Sequence, residues 1–172
     1  MKNPDASIYF GGIAIGAANG AIKRCSYPSK LRPFLLRYGF KTIGQPSSFY
    51  CRRTYHKVGG IDRTYFHRMD ADLWLRLIQE NSEIETIPVM LSMIRFHEAA
   101  KSATAAPAYL KERQNFLESM NLSNPLKYRT IQLMFRTYRM IDGSYLRSWQ
   151  ATRLYKDKRM QDFWSEMKYD YK

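Results

Sequence analysis

The run Asp70-Ala71-Asp72 places two carboxylates at the start of a segment with helical spacing. The free N–H groups at a helix N-terminus favour the ionised form of a carboxylate, and an ionised carboxylate within reach of a substrate hydroxyl can act as a general base. Asp is also a common N-cap, so the local sequence leaves open whether Asp70 serves catalysis or caps the helix. We single out Asp70 as the candidate base, with Asp72 as its neighbour in the motif.

His97 follows Arg95 and Phe96 at the end of a predicted extended segment. An imidazole at this place can be a metal ligand, a phosphate contact or a packed loop residue. The common hydrolase signatures, His-Glu-x-x-His and Gly-x-Ser-x-Gly, are absent from the sequence. The two cysteines, Cys25 and Cys51, are too few for a disulfide framework or a structural zinc site, which favours a reducing compartment.

The chain is strongly basic, since 28 Lys and Arg against 15 Asp and Glu give a net charge of +13 at pH 7. Between Asp5 and Asp62 there are nine Lys and Arg and no acidic residue. Such a surplus suits a polyanion, an anionic membrane surface or a phosphorylated substrate without choosing among them. With 172 residues, 45% of them hydrophobic and 15% aromatic, the chain can form a globular core, and disorder is excluded as its main state.

The elements that must position these residues are predicted from hydrophobic periodicity and turn residues. In chain order we predict a strand over residues 8–15, a helix over 28–40, a buried strand over 47–51, a helical turn over 53–58, a helix over 70–78 and an extended segment over 84–93. Asp72 and Arg76 lie four residues apart in the helix over 70–78 and are predicted to form an ion pair.

Three helices are predicted in the rest of the chain. The first is marked by Leu110, Leu117 and Met120, and the last runs over residues 145–167. The middle helix has an apolar face of Ile131, Met134, Phe135, Tyr138 and Ile141. This order of elements predicts an α/β domain followed by C-terminal helices.

Four blocks of the sequence, in their order and spacing, resemble the C-terminal half of a family-2 glycosyltransferase with the GT-A fold. They are residues 44–53 (GQPSSFYCRR), 58–62 (VGGID), 69–77 (MDADLWLRL) and 95–97 (RFH), the last followed by Lys101-Ser102. The resemblance covers roughly residues 3–103. It implies a partial GT-A-like domain with a Rossmann-type mixed sheet over residues 1–107. The predicted C-terminal helices form an extension over residues 108–172 that the resemblance does not cover.

The resemblance implies an inverting transferase of polysaccharide biosynthesis, which moves a sugar from a nucleotide-sugar donor to a hydroxyl of a saccharide or lipid-linked acceptor. Asp70 matches the general base of the family, and Asp72 matches its neighbour. Gln45, Trp74 and Arg76 match positions on the acceptor side, where we expect Trp74 to pack in the core and Arg76 to form a helix ion pair.

The same resemblance implies a divalent cation, Mg²⁺ or Mn²⁺, as cofactor. His97 matches a histidine that in some members reaches the metal or the diphosphate. Two features depart from the family pattern: Ala71 replaces the usual aromatic residue, and no DxD motif precedes the first predicted strand. The resemblance therefore implies a fragment that needs a donor-binding half, located in the cytoplasm or at the periphery of a membrane.

A non-catalytic basic module is the alternative hypothesis. The charge would allow nucleic-acid binding together with the aromatic residues Tyr50, Tyr55, Tyr65 and Trp149, but no recognised motif is present and these residues have core-like spacing, so nucleic acid is disfavoured. The basic, aromatic helix predicted over residues 145–167 would suit an anionic membrane surface, but packing of this helix on the domain is the favoured interpretation.

Overall fold

A computed structural model of the chain describes residues 3, 5–29, 44–81, 83–96 and 107–167. The strands are β1 (Ile8–Gly16), β2 (Ile22–Ser26), β3 (Ser48–Tyr50) and β4 (Ile84–Arg95). The helices are α1 (Arg52–Lys57), α2 (Met69–Glu80), α3 (Pro107–Ser119), α4 (Pro125–Ile141), α5 (Ser144–Tyr155) and α6 (Met160–Met167), with a short 3₁₀ helix at Gln45–Ser47. Residues 30–40 of the helix predicted over residues 28–40 lie outside the described residues, and so does His97.

Strand β1 is the centre of a four-stranded mixed sheet in the described part of the chain. Strand β4 runs parallel to β1 along its whole length, from the pair Ile8 and Ile84 to the pair Gly16 and Arg95. Strands β3 and β2 pair antiparallel with the first and second halves of β1, respectively. Because β4 pairs with both halves of β1, β3 and β2 must follow one another along the opposite edge. The predicted mixed α/β class is confirmed.

Two hydrophobic cores lie at the two ends of β1. The first joins Ile8 and Phe10 to five buried side chains of α2 and to Phe116 of α3 and Phe135 of α4. The second joins Ala14 to β2 and to three residues of α5 and α6: Ala151, Tyr155 and Phe163. The sheet and the C-terminal helices therefore share both cores.

Several predicted elements are confirmed. The strand over residues 8–15, the helix over 70–78 and the extended segment over 84–93 correspond to β1, α2 and β4. The helical turn over 53–58 is α1, and the chain leaves it through Gly59 and Gly60, whose φ values of 79° and 69° lie in the left-handed region that glycine adopts readily.

The prediction of a single helix over residues 145–167 is wrong, because the segment forms the two helices α5 and α6. The chain turns between them at Asp157, which has a φ of 64°. The connection pairs with the turn between β1 and β2: the Asp157 N–H donates to the Ile22 carbonyl at 2.8 Å, and the Met160 N–H donates to the Gly20 carbonyl at 3.0 Å. These long-range hydrogen bonds, rather than the local helix propensity, decide the break.

Two predicted burial patterns are also wrong. The predicted buried strand over 47–51 is the short strand β3, in which Phe49 is 56% exposed. In the second of the three predicted C-terminal helices, α4, Met134 and Ile141 are 52% and 79% exposed and do not belong to the inward face. In α3, Leu110 is 60% exposed, and Phe116 instead enters the core.

The outer edge of β2 is closed by hydroxyl groups of α5. The Cys25 N–H donates to Thr152 Oγ1 at 3.0 Å, and the Tyr27 N–H donates to Ser148 Oγ at 2.9 Å. A strand edge presents backbone groups that need partners, and here side chains of a helix take the place of a neighbouring strand.

We expect Thr152→Val to lower the free energy of unfolding by about 1–3 kcal/mol, because the buried Cys25 N–H then lacks an acceptor while the side-chain volume is kept. Chemical denaturation measures this change. Thr137→Val is the matched control, since its hydroxyl donates to the Leu133 carbonyl of its own helix and the side chain is exposed. Equal effects of the two substitutions would contradict the assigned role of Thr152.

Candidate functional site

Asp70 lies in the first turn of α2, which begins at Met69 and has Arg68 as its N-cap. Asp70 is therefore not the N-cap of this helix, a role that the local sequence left open. Asp70 Oδ1 accepts a hydrogen bond from the Ala71 N–H at 2.8 Å, and no other residue of the described part of the chain donates to this half-buried carboxylate. The carboxylate therefore retains acceptor capacity in the electrostatic field of a helix N-terminus.

Asp72 forms the predicted ion pair with Arg76, which is confirmed. The guanidinium donates to Asp72 Oδ2 from Nε at 2.9 Å and from Nη2 at 2.6 Å. Its Nη1 donates to the Val58 carbonyl, the C-cap of α1, at 2.5 Å. Asp72 and Arg76 thus join the end of α1 to the first turns of α2, and the Asp72 carboxylate is already paired.

Trp74 packs in the first core, as expected, and is 4% exposed. Its Nε1–H donates to the Tyr50 hydroxyl at 3.1 Å, which lies 3.1 Å from Ser48 Oγ. The Ser48 hydroxyl is also 2.7 Å from the carbonyl oxygen of Gln45, whose side chain is exposed. A chain of polar contacts thus links the backbone at Gln45 to the helix that carries Asp70.

A carboxylate from α3 holds the loop that leads into α2. Glu112 accepts the N–H of Phe66 at 3.0 Å and the N–H of His67 at 2.8 Å. Burial raises the pKa of Glu112, but the backbone N–H groups of His67, Phe66 and Arg68, with the charge of His67, outweigh it and leave the pKa below its ordinary value. The ionised carboxylate therefore stabilises the turn that precedes Asp70.

Arg68 completes the attachment of this loop to α3. The side chain is 5% exposed, and its guanidinium carbon lies 5.5 Å from the centroid of the Tyr109 ring and 5.3 Å from that of Phe116. The His67 ring meets the Tyr109 ring edge-on, with centroids 5.5 Å apart. Sequence reasoning missed Glu112 and Arg68, because no local pattern marks a contact between segments 45 residues apart.

A cavity of about 420 Å³ lies at the end of α1. It is lined by Tyr55, His56, Gly59, Gly60, Ile61 and Arg63. The residues of α2, Asp70 included, are not part of this lining, so the described residues do not bring the cavity and the candidate base together.

The described residues contain no group of three or more His, Cys, Asp and Glu side chains that could hold a metal ion. Asp72 is paired with Arg76, and His97 lies outside the part of the chain that the structure describes. The described residues around Asp70 thus do not fit a Mg²⁺ or Mn²⁺ site.

Comparison of the chain with family models, curated proteins and solved structures finds no match. Within the described ranges, no helix has both the length and the apolar character that crossing a bilayer requires. The candidate site is therefore defined by the four sequence blocks and by the geometry around Asp70.

We expect Arg76→Gln to lower the free energy of unfolding by about 1–2 kcal/mol, because Asp72 and the Val58 carbonyl both lose a charged donor. The matched control is Arg159→Gln, which breaks the exposed pair with Asp162 and should change stability by less than about 0.5 kcal/mol. Denaturant titrations compare the variants. A loss no larger than that of the control would show that Arg76 does not join the two helices.

We expect Glu112→Gln to destabilise the protein at pH 7 and to flatten its acid sensitivity. Because the pKa of Glu112 is lower in the folded than in the unfolded chain, the carboxylate contributes stability above its ordinary pKa of 4.5 and loses it as the pH falls through the folded value. Thermal unfolding followed between about pH 7 and pH 3 measures the effect. Glu118→Gln, an exposed residue of the same helix, is the control, and equal profiles for the two variants would refute the assignment.

Proposed function

We propose that this chain carries the acceptor-binding part of an inverting glycosyltransferase, in which Asp70 is the general base. The main support is the position of the Asp70 carboxylate, which is half-buried in the first turn of α2. Among the described residues, it accepts one hydrogen bond, from the N–H of the adjacent Ala71. The four sequence blocks around it support the family assignment, a nucleotide-sugar donor, and a saccharide or lipid-linked acceptor.

The proposed reaction is a displacement at the anomeric carbon of the sugar. Asp70 takes the proton of the acceptor hydroxyl, the acceptor oxygen forms a bond to the anomeric carbon, and the bond between that carbon and the diphosphate oxygen breaks. The nucleoside diphosphate leaves with the bonding electron pair, and the configuration at the carbon inverts. The first step requires a carboxylate oxygen that is free to accept the proton within hydrogen-bond reach of the acceptor hydroxyl.

The attachments of α2 support this proposal, because a general base must be held in place to act in the transition state. Glu112 fixes the loop before the helix, Arg76 fixes its first turns to α1, and Trp74 fixes it to β3 through Tyr50. The helix is therefore held from three sides, and the Asp70 carboxylate has a defined position.

Only the family resemblance supports the donor side of the proposed reaction. A diphosphate leaving group needs positive charge, which in the family Mg²⁺ or Mn²⁺ in the donor-binding half supplies. His97 matches a histidine that in some members reaches that metal or the diphosphate. The basic residues between Asp5 and Asp62 are a second source of positive charge. We propose that the donor binds to a donor-binding half that acts together with this chain.

We expect Asp70→Asn to lower kcat for sugar transfer by about 10²–10⁴, because the amide cannot accept the proton of the acceptor hydroxyl. The assay joins the chain to a donor-binding half and follows release of nucleoside diphosphate from a panel of nucleotide-sugars.

The matched control is Asp62→Asn. Asp62 Oδ1 accepts the N–H of Thr64 at 2.8 Å, which an asparagine oxygen also accepts, so this variant removes a carboxylate without disturbing the loop. An Asp70→Asn enzyme as active as the Asp62→Asn enzyme would refute Asp70 as the base.

A further inference from the structure

Helix α4 has an apolar face on each side. The inward face packs on the first core through Tyr128, Ile131, Phe135 and Tyr138. The solvent-exposed surface carries the apolar side chains that we call the outer stripe: Leu126 (74% exposed), Leu133 (65%), Met134 (52%), Met140 (64%) and Ile141 (79%). Leu126, Leu133 and Met140 are seven residues apart and lie in one row along the helix.

The threonines of this face do not make it polar. Thr130 and Thr137 follow Leu126 and Leu133 by four residues, so each lies within the row. Their hydroxyls donate to the carbonyls of Leu126 at 3.0 Å and Leu133 at 3.1 Å. The helix backbone thus accepts the hydroxyl protons, and the stripe is more apolar than its sequence indicates.

The charge around the stripe is predominantly positive. Helix α4 contains four Lys and Arg and no Asp or Glu. Between Ser119 and Lys156 the chain has a single acidic residue, Asp142. Of the exposed basic residues, Arg129 and Arg136 lie beside the row of Leu126, Leu133 and Met140. Lys127 lies in the neighbouring row, with Met134 and Ile141.

We propose that the outer stripe of α4 docks on the surface of an anionic lipid bilayer, with the helix parallel to the membrane plane. An interfacial helix buries an apolar face at the level of the headgroups and places basic residues against anionic lipids, which is the pattern of α4. In a dimer formed through this face, the positive charges beside the two stripes would face one another and repel. Charge complementarity therefore favours the anionic bilayer over a second copy of the chain. This proposal does not depend on glycosyl transfer.

A cavity at the junction of α4 and α5 extends the docking surface. Its volume is about 450 Å³, and it is lined by Gln132, Phe135, Arg136, Arg139, Met140 and Tyr145. The described residues of this lining include two guanidinium groups, and Met140 belongs to the outer stripe. A lipid phosphate in the cavity would be neutralised by arginine while the stripe is buried in the bilayer.

The test is flotation of the full chain with vesicles of phosphatidylcholine containing about one third phosphatidylserine, compared with vesicles of phosphatidylcholine alone. We expect binding to the anionic vesicles. The triple variant Leu126→Gln, Leu133→Gln, Met140→Gln should bind them at least about a hundredfold more weakly, because each exposed side chain contributes by burial in the lipid. The matched control is Leu110→Gln with Leu154→Gln, which alters side chains of other helices that are 60% and 61% exposed, and it should bind like the unaltered chain.

Replacement of Arg129 and Arg136 by Gln should weaken binding to the anionic vesicles by about fivefold for each residue. Circular dichroism checks that the variants fold, and Leu126→Gln alone replaces the triple variant if that variant does not. Unchanged vesicle binding by the stripe variant would overturn the proposal. A chain that does not bind vesicles but forms a dimer, which the stripe variant converts to a monomer, would also overturn it. So would a chain that does not bind vesicles but binds oligonucleotides through Arg129 and Arg136.

Discussion

The position of Asp70 depends on a carboxylate from a different helix. Glu112 of α3 accepts two N–H groups of the loop that leads into α2, and the buried guanidinium of Arg68 packs between two rings of the same α3. Without these contacts, the loop would have to satisfy its backbone N–H groups elsewhere, and the first turn of α2 would lose its fixed place. The candidate site thus requires α3, which lies beyond the family resemblance.

The sheet imposes the second constraint. Because β1 pairs with β4 on one edge and with β3 and β2 on the other, its side chains reach both hydrophobic cores. The Trp74 indole then connects α2 to β3 through the Tyr50 hydroxyl. The cores supply most of the stabilisation through apolar burial, whereas the polar contacts determine where the helix lies along the sheet.

The parts of the fold that follow from local pattern were predictable. Apolar spacing gave α2, the two glycines gave the end of α1, and the four-residue separation gave the ion pair of Asp72 and Arg76. The contact of Glu112 with the loop was not predictable, because it joins residues 45 apart through backbone groups that any sequence has. The break between α5 and α6 depends on pairing with the turn after β1. In α4, Met134 and Ile141 fit an inward face by spacing, but the larger aromatic residues occupy it.

Helices α2 and α4 present the two chemical features that the core does not explain: a carboxylate with free acceptor capacity and an apolar stripe flanked by cations. The central claim concerns the first of these features. Its most direct test is a crystal structure of the protein with an acceptor saccharide bound. We predict an acceptor hydroxyl oxygen within about 2.6–3.2 Å of an Asp70 carboxylate oxygen. An acceptor bound with every hydroxyl beyond the reach of Asp70, even through one water molecule, would contradict the account.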